Sequence, residues 1–231
     1  MVAAPHGSPG SGSLLLAIDT ATRMAGIALY DQRGLHAEQM WRTSDNHTSE
    51  LMPYIARNLE QQRLAPSSLQ AIGVSLGPGS FTGLRVGLSV AKGLALALTI
   101  PLLGISTLDA AAYAHHREHL PVRTVLPAGR GRWCTALYRT MGVEWRRQGD
   151  YNLMTTGALV GCLREPTLIC GETDPDLEAM LRAEAPEYAV LTGPASAARR
   201  PGFLAELAWQ RFVRGDRDDL TSLSPIYVQP A

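Results

Sequence analysis

The chain has 231 residues, with 21 basic and 21 acidic side chains, so its formal net charge is zero. That balance argues against a chain that holds nucleic acid by electrostatic attraction alone. The hydrophobic content of 45% is sufficient for one large domain or two small ones. The three cysteines lack a Cys-x-x-Cys spacing, which predicts neither a disulfide framework nor a zinc site.

Residues 1–13 are rich in Gly, Ser and Pro, which predicts a disordered tail. They lack the charged and apolar regions of a secretory signal peptide. The longest apolar stretch, Leu94–Leu103, is too short to span a bilayer. We therefore expect a cytoplasmic protein without membrane contact.

The first half of the chain opens with a predicted β-meander. Leu14–Asp19 is a short apolar run, typical of a buried strand, and two more strands follow it. Further along, Leu51, Ile55 and Leu59 recur at helical spacing. These patterns predict a first lobe over residues 14–120, with strands at 14–19, 24–30, 35–41, 69–76 and 101–105 and helices at 47–62, 80–98 and 106–118.

A second three-stranded meander begins at Val122, so the pattern of the first half starts again. It predicts strands at 122–127, 132–140 and 142–147, followed by helices at 155–163, 176–185 and 198–214 that alternate with strands at 168–170 and 188–191. We therefore predict an α/β protein of two lobes, with a reduced second lobe over residues 121–231. The last helix and the tail can pack back on the first lobe.

The segment Gly83–Leu98 is apolar around almost its whole circumference when it is drawn as a helix. At about 100° per residue, Arg85, Ser89 and Lys92 share one narrow arc, and nearly all other residues are apolar or small. A helix that lies on a sheet needs one apolar stripe, with its remaining surface in water. The pattern therefore predicts a helix that is buried on two sides.

Small residues recur along one ridge of this helix, at a spacing of four. Such a ridge lets another backbone approach closely. Two interpretations remain open, since the second side can be covered by the chain's own other lobe or by the helix of a partner. The positions predicted to form a partner interface are Gly83, Gly87, Val90, Ala91, Leu94, Ala95 and Leu98.

The turn Gly77–Ser80 connects a predicted strand to this helix. Backbone N–H groups at Gly79 and Ser80, together with the helix dipole, can bind an anion. The turn is neither a P-loop nor a G-x-G-x-x-G motif, so a simple sharp turn is the alternative.

Four segments, LLAIDTAT, NHTSELMP, GPGSFTGLRVGLSVAKGLALAL and PLLGISTLDA, occur in an order and spacing that resemble the bacterial TsaB (YeaZ) family. The resemblance covers residues 14–111 most strongly and includes the closing segment SPIYVQP. It implies the two-lobed fold of actin, heat-shock ATPases and sugar kinases.

The resemblance also implies a function in the synthesis of threonylcarbamoyladenosine, the modified adenosine next to the tRNA anticodon. Family members are non-catalytic subunits that bind the catalytic paralogue TsaD, and the ATPase TsaE joins the complex. We therefore expect tRNA to be reached only through the complex, with ATP or ADP at the junction with TsaD. A homodimer is expected to be an option when the chain is alone.

The same resemblance bears on metal binding. TsaD holds its metal with a His-x-x-x-His motif, and alignment on Pro101–Gly104 places Thr107 and Ala111 at the two histidine positions. Neither residue supplies a nitrogen ligand, so no metal is expected there. Three other histidines, His115, His116 and His119, are expected at an exposed helix end. The first predicted helix also carries His47, a family position, for which a cap or packing residue is the alternative.

Asp19, Thr20 and Thr22 lie where ATPases of this fold place a phosphate-and-metal turn, and an acid there can hold magnesium through water. The alternative is a structural turn. The matching turn of the second lobe has Ala128 where the family has an acid, which argues against independent ATP hydrolysis. An independent ATPase or a metallopeptidase is the competing function.

Overall fold

The computed structural model describes residues 13–43, 47–142 and 144–228. They divide into two compact units, of which the first comprises the chain up to Ser106 together with Arg200–Pro225. The second comprises Thr107–Arg199 and the chain from Ile226 onward. The predicted tail at 1–13 lies outside the described residues, apart from Ser13, which is buried before the first strand.

The described residues form ten strands and six helices, numbered in chain order. The strands are β1 (Leu14–Asp19), β2 (Met24–Asp31), β3 (Gly34–Arg42), β4 (Leu69–Gly77), β5 (Leu102–Ser106), β6 (Val122–Pro127), β7 (Arg132–Met141), β8 (Glu144–Thr155), β9 (Thr167–Gly171) and β10 (Ala189–Leu191). The helices are α1 (His47–Gln61), α2 (Phe81–Leu98), α3 (Thr107–Tyr113), α4 (Thr156–Gly161), α5 (Pro175–Glu184) and α6 (Pro201–Val213).

The first unit is built on a mixed sheet with the strand order β3-β2-β1-β4-β5. β1 is antiparallel to β2, β2 is antiparallel to β3, and β4 and β5 continue the sheet parallel to β1. Every residue of β1 is buried, as its apolar sequence predicts. The predicted strands of this unit are therefore confirmed to within one or two residues.

Helices cover the sheet of the first unit. α2 packs mainly against β4 and also contacts β1, β5 and α1. α6 packs across all five strands. Gly73 in β4 allows α6 to lie close to the sheet, because a Cβ atom added at this position would lie 2.7 Å from Cβ of Ala208 in α6.

The N-terminus of α6 is capped by a carboxylate from another part of the chain. No side chain at the start of α6 caps it. Instead Glu38 in β3 accepts hydrogen bonds from the backbone N–H of Gly202 at 2.7 Å and from Arg200 Nε at 2.8 Å. Because a carboxylate is favourable at the positive end of the helix dipole, Glu38 helps to hold α6 on the sheet.

The chain beyond α6 is bound to the edge strand β5 by Asp218. Its carboxylate accepts hydrogen bonds from the backbone N–H of Gly104 at 2.6 Å and from both terminal nitrogens of Arg211 at 2.9 and 3.0 Å. Asp218 also donates its own N–H to the carbonyl of Leu102 at 2.9 Å. Asp218 therefore supplies hydrogen-bond partners to the backbone at the edge of β5.

Replacing Asp218 by Asn should lower the free energy of unfolding at pH 7 by about 1–3 kcal/mol, because the charged acceptor for Arg211 is lost. Burial acts to raise the pKa of Asp218, but the hydrogen bonds from Arg211 and Gly104 outweigh it and bring the pKa below 3.8. Such a group stabilises the fold above its unfolded pKa of about 3.9, and this contribution is lost as the pH falls through the folded pKa.

The deficit of the Asp218→Asn variant should therefore begin to shrink below about pH 4. Urea unfolding of both proteins at pH 7, 5, 4 and 3 measures the difference. A deficit that stays constant over this range would show that the carboxylate charge is not what stabilises the edge.

The second unit is also a mixed sheet, with the strand order β10-β9-β6-β7-β8. β6 pairs antiparallel with β7 and parallel with β9, so it is the central strand. One apolar cluster lies between the sheet and α4 and α5, and a second lies between the sheet and α3.

Two elements of the second unit, and the residue at which the unit begins, differ from their predictions. α3 ends at Tyr113, before the predicted end at 118, because the backbone continues in turns and the ring of His116 stacks on Tyr113. β8 extends to Thr155, beyond the predicted 147, because an irregularity between Thr135 and Leu137 of β7 allows pairing to resume. The unit begins at Thr107 rather than 121, because α3 packs on β6 and β9.

Candidate functional site

The helix α2 carries most of the residues that the sequence predicts to form a site. Ser80 is its N-cap, and the hydroxyl of Ser80 accepts a hydrogen bond from the N–H of Gly83 at 3.2 Å. The helix ends at Thr99, which adopts a left-handed backbone conformation and donates its N–H to the last turn. Local capping therefore sets both ends of α2 close to the predicted bounds of 80–98.

One face of α2 is buried against the chain's own sheet. Its six buried residues include the four small residues of the predicted ridge, and they are Gly83, Leu84, Gly87, Leu88, Ala91 and Ala95. The ridge therefore packs inward in the folded chain. Direct partner contact by Gly83, Gly87, Ala91 and Ala95 stays a prediction, and the burial of these residues argues against it.

Gly87 is the point of closest approach between α2 and the turn after β1. A Cβ atom added at Gly87 would lie 2.1 Å from Oγ1 of Thr20. Thr20 is fully buried, and its hydroxyl donates a hydrogen bond to the carbonyl of Gly83 at 2.8 Å. The glycine therefore admits a threonine of the same unit, which is the physical reason for the small residue at this position.

The opposite face of α2 is exposed and mixed in character, because Phe81, Gly93, Leu96 and Ala97 are exposed there together with Thr82, Arg85 and Ser89. Leu96 keeps 72% of its surface exposed, and Phe81 keeps 54%. The predicted interface residues Val90, Leu94 and Leu98 are partly exposed along the flank of this face. We call the set formed by Phe81, Val86, Val90, Gly93, Leu94, Leu96, Ala97 and Leu98 the outer face of α2.

The outer face of α2 has few charges. Its cations are Arg85 and Lys92, and the guanidinium of Arg85 lies 3.7 Å from the centre of the Phe81 ring. On the neighbouring helix α1, Met52 adds another exposed apolar side chain, with 42% of its surface accessible. Exposed apolar side chains on neighbouring helices are typical of a protein-binding site.

By length and composition alone, α2 is the one helix in the described part of the chain that could cross a membrane. The apolar stretch Leu94–Leu103 is too short to span a bilayer, whereas the helix that contains its first half begins at Phe81. A helix that packs on a soluble sheet passes the same test, and the inner face of α2 is packed in this way.

The turn that follows β1 is closed by internal hydrogen bonds. Asp19 has 1% of its surface exposed, and its carboxylate accepts a hydrogen bond from the N–H of Ala21 at 3.0 Å. Thr20 donates its N–H to the hydroxyl of Ser75 at 3.4 Å, and the hydroxyl of Thr22 accepts from the N–H of Met24 at 3.2 Å. These contacts favour the structural turn over a nucleotide contact for all three predicted residues.

The turn before α2 packs against the turn that follows β1. A Cβ atom added at Gly79 would lie 2.2 Å from the carbonyl oxygen of Ala21, to which Ser80 donates its N–H at 2.6 Å. The N–H of Gly83 is bound by its own N-cap. Of the two N–H groups predicted to bind an anion, that of Ser80 is therefore already used, as is that of Gly83 in the first turn of the helix.

The family model described as "TsaD: tRNA N6-adenosine threonylcarbamoyltransferase" matches residues 39–173, which is more than half of the chain. The tRNA threonylcarbamoyladenosine biosynthesis protein TsaB of Bacillus subtilis (strain 168) is 38% identical over 126 residues, which are 54% of this chain and 55% of that protein. The chain belongs to the TsaB (YeaZ) family. It spans about half the length of the first curated TsaB relatives it matches.

Two further comparisons extend over nearly the whole chain. The uncharacterized protein Mb3455c of Mycobacterium bovis is 30% identical over 223 residues, which are 94% of this chain and 92% of that protein. The structure of YeaZ from Pseudomonas aeruginosa superposes with a TM-score of 0.78 at 24% identity, covering 94% of this chain and all of that one. The two-lobed actin-like fold predicted from the sequence is thereby confirmed.

The positions that align with the metal-binding histidines of TsaD lie on α3. Thr107 is fully buried at the start of α3, and Ala111 lies on the same helix with 7% of its surface exposed. Within the described ranges, no group of three His, Cys, Asp or Glu side chains is placed to hold a metal ion.

The three histidines after α3 lie in turns and not on a helix. His115 is partly buried, and burial lowers its pKa although Glu118 and the backbone of Ser196 act in the opposite direction. A ring nitrogen of His116 lies 2.7 Å from the carbonyl of Tyr113, and His119 is exposed. Because the helix ends at Tyr113, the helical i, i+4 relation of His115 and His119 does not exist.

The remaining family histidine is His47, which begins α1. Its side chain lies outside the described residues, so its role as a cap, a packing residue or a functional group stays a prediction.

Proposed function

We propose that the chain is a non-catalytic subunit of the assembly that adds threonylcarbamoyl to the adenosine next to the tRNA anticodon. It acts by binding TsaD, and TsaE joins the assembly. The similarity of the chain to TsaB proteins supports a function in this pathway. The observation that supports partner binding is the outer face of α2, which is apolar and exposed in the folded chain.

A helix–helix contact suits this surface. The outer face of α2 presents branched and aromatic side chains beside two small residues, Gly93 and Ala97, which allow another helix to lie close. Burial of exposed apolar area drives such an association, at about 25 cal/mol per Å² before the costs of association. The exposed Met52 of α1 extends the surface toward a second helix.

The same surface also suits pairing of the chain with itself. A two-fold dimer uses one patch on both copies, so an unoccupied apolar helix face also suits a homodimer. We propose that TsaD displaces the second copy, because both partners bind the outer face of α2. Gel filtration of the chain, with TsaD added in increasing amounts, tests this exchange.

Nucleotide chemistry is assigned to the assembly and not to this chain alone. Asp19 and Thr20 are buried and bound within the first unit. The matching turn of the second unit, residues 128–131, contains no carboxylate. It is closed by the N–H of Ala128, which donates to the carbonyl of Arg132 at 2.8 Å, and by the N–H of Arg132, which donates to the carbonyl of Gly129 at 3.1 Å. Two expectations stay predictions: ATP or ADP binds at the junction with TsaD, and tRNA is reached only through the complex. The cytoplasm is the expected location.

Reconstitution from purified proteins tests the proposal. The chain, TsaD and TsaE are combined with tRNA and a threonylcarbamoyl-adenylate donor, and modified adenosine is measured by mass spectrometry. Product should require both TsaD and this chain, and neither should form it alone. Product from the chain alone, or sustained phosphate release by it, would instead support an independent enzyme.

A further inference from the structure

Arg123 is a buried cation on the central strand of the second unit. The residue keeps 9% of its surface exposed, and its Nε atom is fully enclosed without a hydrogen-bond partner. Among the described residues, no carboxylate forms an ion pair with it. An enclosed guanidinium nitrogen without a hydrogen-bond partner is costly, so an anion that supplied the missing acceptor would stabilise this position.

The side chain of Arg123 lies on the sheet face that α4 and α5 cover. Val125, two residues further along β6, belongs to the apolar cluster on that face. Arg123 pairs with Leu137 of β7, and Val125 pairs with Thr135. Oγ1 of Thr135 is likewise fully enclosed and without a partner, so two unsatisfied polar atoms lie on neighbouring positions of one face.

Two further arginines continue from Arg123 across the sheet. Arg139 lies two residues beyond Leu137 on β7, and Arg146 of β8 is directly opposite Arg139. Side chains in directly opposite positions are about 5 Å apart at Cβ, and diagonal neighbours are about 7–8 Å apart. We call Arg123, Arg139 and Arg146 the arginine row.

Within the described ranges, no carboxylate reaches Arg123. Glu165 forms a salt bridge with Arg139, and Glu144 forms one with Arg146. These pairs are substantially exposed, so each contributes little to stability and can exchange for another anion. Arg123 is therefore the member of the row that has no acidic partner, although it is the most deeply buried.

We propose that the arginine row, with Arg123 at its buried end, is a binding site for a phosphate group. A guanidinium binds a phosphate through two parallel hydrogen bonds, and the remaining phosphate oxygens can bond a second arginine. The site lies at the end of the sheet where β6 and β9 begin. It is thus at the opposite end of β6 from the turn at residues 128–131, and it does not depend on the function proposed above.

Thermal unfolding in chloride and in inorganic phosphate, at equal ionic strength and pH 7, tests the site. The proteins are the full chain, Arg123→Met and the control Arg217→Met, which removes an exposed arginine of the first unit. Phosphate should raise the Tm of the wild type and of Arg217→Met, but not that of Arg123→Met. Calorimetric titration with phosphate should show Kd at least about tenfold weaker for Arg123→Met.

In chloride, Arg123→Met should be at least as stable as the wild type, because an apolar side chain of similar length removes the enclosed Nε that has no hydrogen-bond partner. This result separates loss of the site from loss of the fold. If Arg123→Met does not fold, Arg123→Lys keeps the charge but cannot form the bidentate contact, and its Kd for phosphate should still be weaker.

A second arm identifies the source of the phosphate. A short single-stranded RNA that binds the wild type but loses about tenfold in affinity with Arg123→Met points to a nucleic-acid backbone. Binding of inorganic phosphate without RNA binding points to a free phosphate compound. Equal stabilisation of the wild type and Arg123→Met by phosphate, or none of the wild type, would overturn the proposal.

Discussion

Replacing Gly87 by Leu is expected to unfold the first unit or to lower its free energy of unfolding by at least about 3 kcal/mol. The added Cβ alone would lie 2.1 Å from Oγ1 of Thr20. Thr20 cannot rotate away freely, because its hydroxyl is bound to the carbonyl of Gly83 and the residue is fully buried. Either α2 moves off the sheet or this hydrogen bond breaks.

Gly93 provides the matched control on the same helix. It is exposed, and a Cβ added there meets nothing within 4 Å. Gly93→Ala should therefore stabilise the chain by up to about 1 kcal/mol, and Gly93→Leu should fold normally. Urea unfolding followed by circular dichroism compares the variants. Equal stability of Gly87→Leu and Gly93→Leu would contradict the inward orientation of Gly87.

The elements that were predicted well are those whose sequence signals are local. β1 follows from an uninterrupted apolar run, and α2 begins at a serine that caps it and ends where the chain turns left-handed at Thr99. The repeat of the meander likewise predicts the second sheet, since each strand pairs mainly with its neighbours in sequence. Such signals depend only on residues close together in the chain.

The contacts that fix α6 were not predicted, because their partners are far apart in sequence. Glu38 caps Gly202 across a separation of 164 residues, and Asp218 binds Gly104 across 114. No spacing rule identifies which glutamate will reach which helix. The same holds for Arg123, whose lack of a partner becomes visible only when the neighbours on the sheet are known.

The residues predicted to form an interface lie partly on the buried face of α2 and partly on its exposed side. A helical wheel shows which residues share a side, but it does not show which side meets the sheet when nearly all residues are apolar. The small ridge was assigned to a partner, whereas Thr20 occupies the space beside Gly87. The exposed Leu96 and Phe81 were omitted from the predicted set for the same reason.

Leu96→Glu should abolish binding to TsaD while leaving the fold intact. Leu96 keeps 72% of its surface exposed, so a charge there is solvated in the free chain and should change the free energy of unfolding by no more than about 0.5 kcal/mol. Glu also lies four residues after Lys92, at a spacing that favours an ion pair on the helix surface. In a complex that covers the outer face of α2, the same carboxylate would be removed from water, which is costly even beside Lys92.

The affinity for TsaD should therefore fall at least about a hundredfold, which corresponds to the loss of a central interface contact. Met141→Glu is the control, because Met141 is also an exposed apolar residue, with 58% of its surface accessible, but lies at the end of β7 in the second unit. Calorimetry gives Kd for the three proteins, and urea unfolding checks their stability. If Leu96→Glu binds TsaD as tightly as the wild type, or if Met141→Glu weakens binding equally, the outer face of α2 is not the binding surface.

Formation of modified adenosine in the reconstituted assay should follow the order of these affinities, because a subunit that acts only by binding loses its effect when binding is lost.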